Sequence, residues 1–182
     1  AAFVMMSATT AYASGKTVAD MHNFIYQNTE EQLNEATESS EPAPGTDVVT
    51  EDGMVEHYCN IEDLDMTNMQ IVSYPEKDMV TWTAGIYYNI DWDVEANTRY
   101  VSGDYTVKSG GKIGASVTLS PFQKSCWLGI MNDHGTARYV EGTGALAHVF
   151  NISETCKYRV FVQNNYKDGT MIHAKGSFRY EN

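Results

Sequence analysis

Three acidic side chains alternate with apolar residues near the middle of the chain, and this is the first pattern that suggests a metal site. Asp91, Asp93 and Glu95 are separated by Trp92 and Val94. On an extended strand these carboxylates project from one face about 7 Å apart, too far for all three to bind one ion. A curved loop would bring two together, so Asp91 and Asp93 are the candidate calcium ligands, although calcium prefers about six to eight oxygens. The register lacks the glycine of the EF-hand loop, and a solvated strand face is the favoured interpretation.

Aromatic residues form the second candidate site, because the flat face of an exposed ring packs well against the apolar face of a sugar. The candidate ligand-binding residues are Tyr87 on a polar strand face, Trp92 at or beyond the end of that strand, and Tyr100 and Tyr105 beside turns. Tyrosine also suits the half-wet surface of an ordinary sheet, so plain packing is the favoured alternative.

The three cysteines, Cys59, Cys126 and Cys156, allow at most one disulfide bond. Cys126 and Cys156 are the slightly favoured pair, because each is expected at the start of a strand within the folded region. Three buried free thiols are the equal alternative. His57 and Cys59 share one side of a possible first strand, but a zinc site there needs two further ligands that no spacing supplies.

The other histidines are expected to be structural or exposed. His148 lies between the apolar residues Leu146 and Phe150, which predicts a hydrogen-bonded histidine in the core. His134 falls in a turn and His173 on the polar face of the last strand, so both are predicted to be exposed. No cofactor is predicted, with calcium as the alternative.

The chain lacks the linear motifs of common enzyme classes, such as Gly-x-Ser-x-Gly, His-Glu-x-x-His, Cys-x-x-Cys and the phosphate-binding glycine loop. A glycosidase needs only two carboxylates, which leave no linear signature. A small secreted hydrolase therefore remains an alternative, with dispersed carboxylates such as those of Asp91, Asp93, Asp104 or Glu141. No catalytic residue is assigned, and a non-catalytic protein is favoured.

Alternating apolar and polar residues from about residue 54 onward predict the strands that position these side chains. The clearest run extends over residues 80–90, and others cover 113–119, 158–162 and 172–180. Turn signals recur about every 8 to 12 residues, which predicts an all-β domain, an antiparallel β-sandwich of the jelly-roll type. The segment Gly142–Tyr180 resembles the end of many exported bacterial sandwich modules, and the resemblance implies a fold class alone.

The residues before this domain, which is predicted to cover 54–182, fall into two segments. Residues 1–13 end in Ala11-Tyr12-Ala13 and are predicted to be a signal-peptide remnant of an exported, bacterial protein. Residues 14–53 are predicted to contain a short helix from Thr17 to about residue 35 and then a flexible acidic linker rich in serine, proline and glycine.

The net charge of −12 is concentrated in one segment. Twelve of the 24 acidic residues lie from Glu30 to Asp65, which contains no Lys or Arg, whereas residues 66–182 carry eleven acidic and eleven basic residues. A neutral domain disfavours binding to nucleic acid or to an anionic membrane surface. No apolar run reaches the roughly 18 residues of a membrane-spanning helix.

The sequence therefore predicts a secreted or cell-surface, non-catalytic β-sandwich module that binds an unidentified extracellular glycan or protein. The alternatives are the small secreted hydrolase and a secreted effector or toxin-like protein.

Overall fold

The computed structural model describes residues 41–64, 70–73, 79–82 and 85–182, and strands dominate these ranges. One helical turn, α1 (Ile61–Leu64), follows the second strand. The strands are β1 (Asp47–Val49), β2 (Val55–Asn60), β3 (Gln70–Ser73), β4 (Met79–Trp82), β5 (Gly85–Val94), β6 (Thr98–Val101), β7 (Tyr105–Val107), β8 (Lys112–Ser120), β9 (Ser125–Asn132), β10 (Thr136–Thr143), β11 (Ala145–Asn151), β12 (Cys156–Asn164) and β13 (Ile172–Glu181). The prediction of a mostly β protein is confirmed.

The strands form two sheets. Sheet A has the order β1-β2-β10-β9-β12-β6-β3, with β7 also pairing with β12, and sheet B has the order β11-β8-β13-β5-β4. Every strand pair within the described ranges is antiparallel except the parallel pair β3–β6. No helix in the described part of the chain is long and apolar enough to cross a membrane.

The inner faces of the two sheets share one apolar core. Leu128 and Val160 contribute to it from sheet A, and Ile90 and Phe178 from sheet B. Strands β8 and β11 alternate strictly between buried and exposed residues, as expected when one sheet face packs inward and the other meets water. The alternation predicted for residues 172–180 is likewise present in β13.

Sheet A also carries apolar residues on its outer face, where the second core cluster lies. Its buried members are Leu64 of α1 and four strand residues, Val101, Met131, Ala137 and Phe161. A Cβ atom on Gly129 would lie 2.4 Å from the Phe161 ring, so glycine is required where that ring crosses β9. Both faces are largely covered along β9 and the second half of β12, where Val160, Phe161 and Val162 follow one another, whereas Lys157 and Arg159 are exposed at the start of β12.

Two boundaries differ from the sequence predictions. The run predicted as one strand over residues 80–90 belongs to two antiparallel strands, since Trp82 of β4 pairs with Gly85 of β5. The alternation continues through this reversal, so the sequence pattern contains no break there. The compact unit begins at Glu41, and β1 lies within the predicted linker, where it pairs with β2. The predicted signal-peptide remnant and N-terminal helix lie outside the described residues.

Candidate functional site

Three aromatic side chains form a row across the outer face of sheet A. They are His57 on β2, Tyr139 on β10 and Trp127 on β9, and the three strands are neighbours in the sheet. The register places Tyr139 directly opposite His57, and the residue two positions after Tyr139 directly opposite Trp127. Antiparallel partners point to the same face, so all three rings meet there. We call these three residues the aromatic strip.

The rings of the aromatic strip are stacked on one another. The ring centroids of Trp127 and Tyr139 are 4.3 Å apart with an interplanar angle of 20°, and those of Tyr139 and His57 are 4.8 Å apart at 26°. All three residues are half-buried. Stacking covers both faces of the central Tyr139 ring, so the strip presents mainly ring edges to its surroundings. Nε1 of Trp127 is buried and has no hydrogen-bond partner among the described residues.

Carboxylates flank the aromatic strip at both ends. Asp47 of β1 approaches His57, with its Oδ1 atom 2.7 Å from Nδ1 of the imidazole, and Glu141 lies opposite Trp127. Burial, together with the charges of Cys59, Glu141 and Asp47, raises the pKa of Tyr139 to about 12. Like that of an ordinary tyrosine, the Tyr139 hydroxyl is protonated at neutral pH and can donate a hydrogen bond.

The strip rests on the second core cluster, because Trp127 and Tyr139 pack against its buried residues. The Arg99 side chain links α1 to the outer face of sheet A. Its guanidinium donates hydrogen bonds to the Gln163 side chain (2.8 Å) and to the main-chain oxygen of Leu64 (2.6 Å). Its carbon Cζ also lies 5.4 Å from the centroid of the Phe161 ring. The aromatic strip therefore lies on a support that packing and buried hydrogen bonds hold in place.

A buried ionic cluster occupies the space between the sheets, next to β2 and β11. Arg138 donates from Nε to Glu56 (2.5 Å) and from Nη1 to Glu41 (2.9 Å). His148 of sheet B lies 3.1 Å from the second oxygen of Glu56, and this confirms the predicted hydrogen-bonded core histidine. Burial acts to raise the pKa of Glu56, but hydrogen bonds from His148 and Arg138 and the charge of Arg138 outweigh burial and lower it. Because Arg138 and Glu56 belong to sheet A and His148 to sheet B, the contacts among them join the two sheets.

Comparison with known proteins gives little guidance. No family model and no curated protein sequence matches the chain. Among solved structures, the chain is similar to the Aeromonas hydrophila protein PliG, a periplasmic inhibitor of g-type lysozyme. The TM-score is 0.42 and the sequence identity 10%, over 62% of this chain and 97% of that chain. A similarity of this degree carries no conclusion about the present chain.

Three of the four aromatic residues predicted to bind a ligand lie in the core. Trp92, Tyr100 and Tyr105 are at most 8% exposed. Strand β5 continues to Val94, so Trp92 keeps the inward phase of the strand, and Tyr105 stacks on a core tyrosine of β13. These residues therefore form no exposed platform. Tyr87 is half-buried on the outer face of sheet B, opposite Arg179, and its role in binding stays a prediction.

The predicted metal ligands Asp91 and Asp93 lie on the exposed outer face of sheet B, with His173 between them. Nε2 of His173 is 3.1 Å from Asp91 and Nδ1 is 2.8 Å from Asp93, each measured to Oδ1. The imidazole thus occupies the position between the carboxylates. His173 lies on the outer face as predicted but is half-buried, and calcium binding at the two aspartates stays a prediction.

The predicted bridge between Cys126 and Cys156 is wrong, because all three cysteines are free thiols. Both residues do lie at strand starts, but β9 and β12 are antiparallel, so the two starts lie at opposite ends of the pair. Cys126 is level with Asn164, eight residues along β12 from Cys156, a separation of about 26 Å. A disulfide requires Cα atoms within about 7 Å.

The carboxylates considered for a hydrolase are divided between the two sheets. Asp91 and Asp93 lie on the outer face of sheet B, whereas Glu141 lies on β10 of sheet A. Asp104 binds the exposed guanidinium of Arg159 on β12, and this contact lowers the pKa of the Asp104 carboxyl. The structure does not bring these four candidates together in one cleft.

The aromatic strip is not evident from the sequence. The apolar neighbours of Trp127 predict a central strand and a place in the core; Trp127 does lie on the central strand β9, but its side chain is on the outer face of sheet A. Tyr139 and His57 each belong to alternating strands, so their common phase is visible in the sequence. Their meeting depends on the β2–β10–β9 order, which no local pattern contains.

Proposed function

We propose that this protein is an exported, non-catalytic β-sandwich module that binds a protein partner through the aromatic strip and its acidic flanks. The observation that carries the proposal is the stacked, half-buried row of Trp127, Tyr139 and His57 on the outer face of sheet A. The core shared by both sheets supports the sandwich assignment, and the jelly-roll type stays a prediction. The sequence at Ala11-Tyr12-Ala13 supports export.

The stacking geometry favours a protein partner over a glycan. A sugar binds on the open face of a ring, but both faces of Tyr139 are already covered by its neighbours. Tyrosine and tryptophan edges combined with polar ring atoms suit a protein interface, where both residues are enriched among those that dominate the binding energy. A glycan would be restricted to the outward faces of the two end rings.

The charge of the compact unit favours a partner with a basic surface. Residues 41–182 contain nineteen acidic and eleven basic residues, a net charge of −8, and residues 41–64 contain seven acidic and no basic residues. The range 66–182 is neutral because it excludes the eight acidic residues of 41–65, among them Asp47 on β1 and Glu56 on β2. With Asp47 and Glu141 beside the strip, the binding face is acidic, so opposite charge on the partner would accelerate association.

The contacts and the protonation of the candidate catalytic groups support a non-catalytic role. Asp91, Asp93 and Asp104 already contact His173 or Arg159. Burial is the main cause that raises the pKa of the Cys59 thiol to about 11 and that of Cys126 to about 12. At neutral pH these thiols are therefore protonated and weakly nucleophilic.

The test measures whether the aromatic strip binds an exported protein. The full chain is cross-linked to exported proteins of its source, the captured protein is identified and purified, and its Kd is measured for each variant. Tyr139→Ala removes the central ring and Glu141→Lys reverses one flanking charge. Each is expected to weaken binding about tenfold, which corresponds to roughly 1.4 kcal/mol.

Two matched controls lie on sheet B. Glu95→Lys makes the same charge change at the end of β5, and Tyr87→Ala removes a half-buried tyrosine from the outer face. Both should leave the Kd within about twofold of the wild-type value, within the usual effect of a surface substitution. Equal binding by wild type and Glu141→Lys, or glycan binding that only Tyr87→Ala abolishes, would refute the proposal.

A further inference from the structure

A separate group of side chains with metal-ligand chemistry lies at one end of sheet A. His134 is in the turn between β9 and β10, Glu154 is in the connection between β11 and β12, and Cys156 is the first residue of β12. Because Asn132 at the end of β9 pairs with Tyr158 near the start of β12, the β9–β10 turn lies beside the β12 entry. The sheet thereby brings together residues that are about 20 positions apart in the sequence.

The three side chains can approach one ion at the same time. One ligand atom from each residue lies within 4.8 Å of the other two, and within the described ranges no other His, Cys, Asp or Glu group of three or more meets this condition. Nδ1 of His134 is 2.9 Å from Oε1 of Glu154. Zinc–ligand bonds of about 2.0 to 2.3 Å place tetrahedral ligands about 3.4 to 3.8 Å apart, so shifts of about 1 Å would complete the geometry.

Asp133 occupies the position of an outer carboxylate. Its Oδ1 atom is 3.9 Å from Nε2 of His134, on the opposite side of the imidazole from Glu154, and it accepts a hydrogen bond from the main-chain N–H of Lys157 (3.2 Å). This distance exceeds that of a hydrogen bond, so the carboxylate would move about 1 Å closer on metal binding to accept the second N–H of His134, as carboxylates beside metal-bound histidines commonly do. Nδ1 of His134 lies nearest Glu154 and is the nitrogen that would bind the metal.

The local electrostatics suit a cation. The carboxylates of Glu154 and Asp133 lie 2.9 Å and 3.9 Å from the two ring nitrogens of His134, so negative charge lies beside the ligand atoms. Cys156 is 7% exposed, so a bound ion would be partly screened from water. A coordinating sulfur must lose its proton, and the positive charge of the ion supplies the driving force.

We propose that His134, Glu154 and Cys156 bind a divalent transition-metal ion of the zinc class, with water as the fourth ligand. Nitrogen, oxygen and sulfur donors in one group match the preferences of zinc, whereas calcium and magnesium prefer oxygen alone. Binding forms a metal–sulfur bond, breaks the S–H bond of Cys156 and releases one proton to solvent. No oxidation or reduction takes place. The site lies apart from the aromatic strip and does not depend on the proposed partner.

The test uses the full chain without a polyhistidine tag, reduced and freed of metal. Zn²⁺ is titrated in competition with a chromophoric chelator, and Co²⁺ is titrated while the absorption spectrum is recorded. One equivalent of metal is expected to bind with release of a proton. The Co²⁺ complex should show visible bands of four-coordinate cobalt and a near-ultraviolet sulfur-to-cobalt charge-transfer band. Cys156→Ser should abolish the charge-transfer band.

The variants distinguish the proposed metal ligands from Asp133, which acts on the orientation of His134. Asp133→Asn should weaken Zn²⁺ binding about tenfold but keep the cobalt spectrum, because it acts on the orientation of His134. His134→Ala and Glu154→Gln should weaken binding by a larger factor, and both residues are exposed, so these variants retain the fold even if Cys156→Ser does not. Equal Zn²⁺ affinity in these two variants and the wild type would overturn the proposal.

The matched control is the other His/Cys pair, His57 and Cys59. His57→Ala and Cys59→Ser should leave the Zn²⁺ affinity and the cobalt charge-transfer band unchanged, because this pair belongs to no group of three ligands in the described residues. Loss of the cobalt band in Cys59→Ser, or absence of the band in the wild type, would exclude Cys156 as the metal ligand.

Discussion

Arg138 carries a positive charge into the space between the sheets, and Glu56 and Glu41 neutralise it. The Arg138 side chain also lies over aromatic rings, with its carbon Cζ 4.8 Å from the Tyr58 centroid and 5.8 Å from that of Phe150. Removing one partner of a buried ion pair costs more than the pair itself contributes, because the other charge remains in a region of low polarity. Each member of this cluster therefore matters for stability.

Glu56→Gln should lower the free energy of unfolding by about 3 kcal/mol at pH 7, because Arg138 and His148 lose a shared acceptor. The folded state lowers the pKa of Glu56 below its ordinary value of 4.5, so the charged form stabilises the protein above that pH. This contribution is lost as the pH falls through the lower folded-state pKa. Urea unfolding at several pH values should show that the difference in the free energy of unfolding between the wild type and Glu56→Gln becomes smaller below pH 4.5.

Glu51→Gln is the control for this pH dependence, since Glu51 is exposed and lies close to Glu56 in the sequence. Its free energy of unfolding should follow that of the wild type at every pH. A constant difference between wild type and Glu56→Gln from neutral to acidic pH would show that the Glu56 charge does not stabilise the fold.

At the scale of single residues, the sequence predicted burial where the strand phase alone decides it. His148 shares the phase of Leu146 and Phe150, and the structure buries all three. Trp92 does not lie at a strand end, because β5 extends four residues beyond the predicted run, from residue 90 to Val94. The sequence does not indicate that His134, Glu154 and Cys156 lie together, because only the pairing of β9 with β12 brings the β9–β10 turn to the start of β12.

At the scale of elements, the pairing of β13 with β8 leaves no space for a side chain at Gly176. A Cβ atom at Gly176 would lie 2.0 Å from the main-chain oxygen of Ser116 and 2.8 Å from Cα of Val117. Main-chain atoms in a paired strand cannot move aside without disturbing the ladder. The pairing of β13 with β8 therefore requires glycine at this position.

Gly176→Ala should destabilise the fold by at least about 1 to 3 kcal/mol, the usual cost of adding a methyl group where no space exists. Gly114→Ala is the matched control within β8, since nothing lies within 4 Å of the added Cβ atom. It should be neutral or stabilising by up to about 1 kcal/mol, because alanine loses less freedom on folding. Thermal unfolding of both variants measures the difference, and equal melting temperatures would contradict the close approach.

The strands were predictable from the sequence because the alternation of apolar and polar residues is local. The order of the strands in the sheets was not predictable. The pattern over residues 113–119 and 172–180 predicted two strands with the faces that the structure shows. Nothing in either run indicates that they pair with each other. The same limit produced the wrong Cys126–Cys156 bridge, since two strand starts lie close in a parallel pair but far apart in an antiparallel one.

At the scale of the whole molecule, the position of the acidic charge depends on where the compact unit begins. That unit starts at Glu41, not at residue 54, and the intervening residues contribute three kinds of contact. Strand β1 pairs with β2, the main-chain N–H of Gly45 donates to the main-chain oxygen of Tyr58 (2.6 Å), and Glu41 binds Arg138. The segment predicted to be a flexible linker therefore supplies part of the buried ionic cluster.

A chain covering residues 41–182 retains every residue of the compact unit and is the reference for the shorter truncation. A chain covering residues 54–182 should be less stable by at least about 3 kcal/mol, because it loses Glu41 and leaves the Arg138 charge with one buried carboxylate. Glu41→Gln in the full chain distinguishes loss of the Glu41–Arg138 ion pair from loss of the β1–β2 pairing. If the ion pair dominates, this substitution reproduces most of the loss, whereas if the pairing of β1 dominates, its effect is small. Urea unfolding of the four proteins makes the comparison, and equal stability of the two truncated chains would place the domain boundary at residue 54, as the sequence predicted.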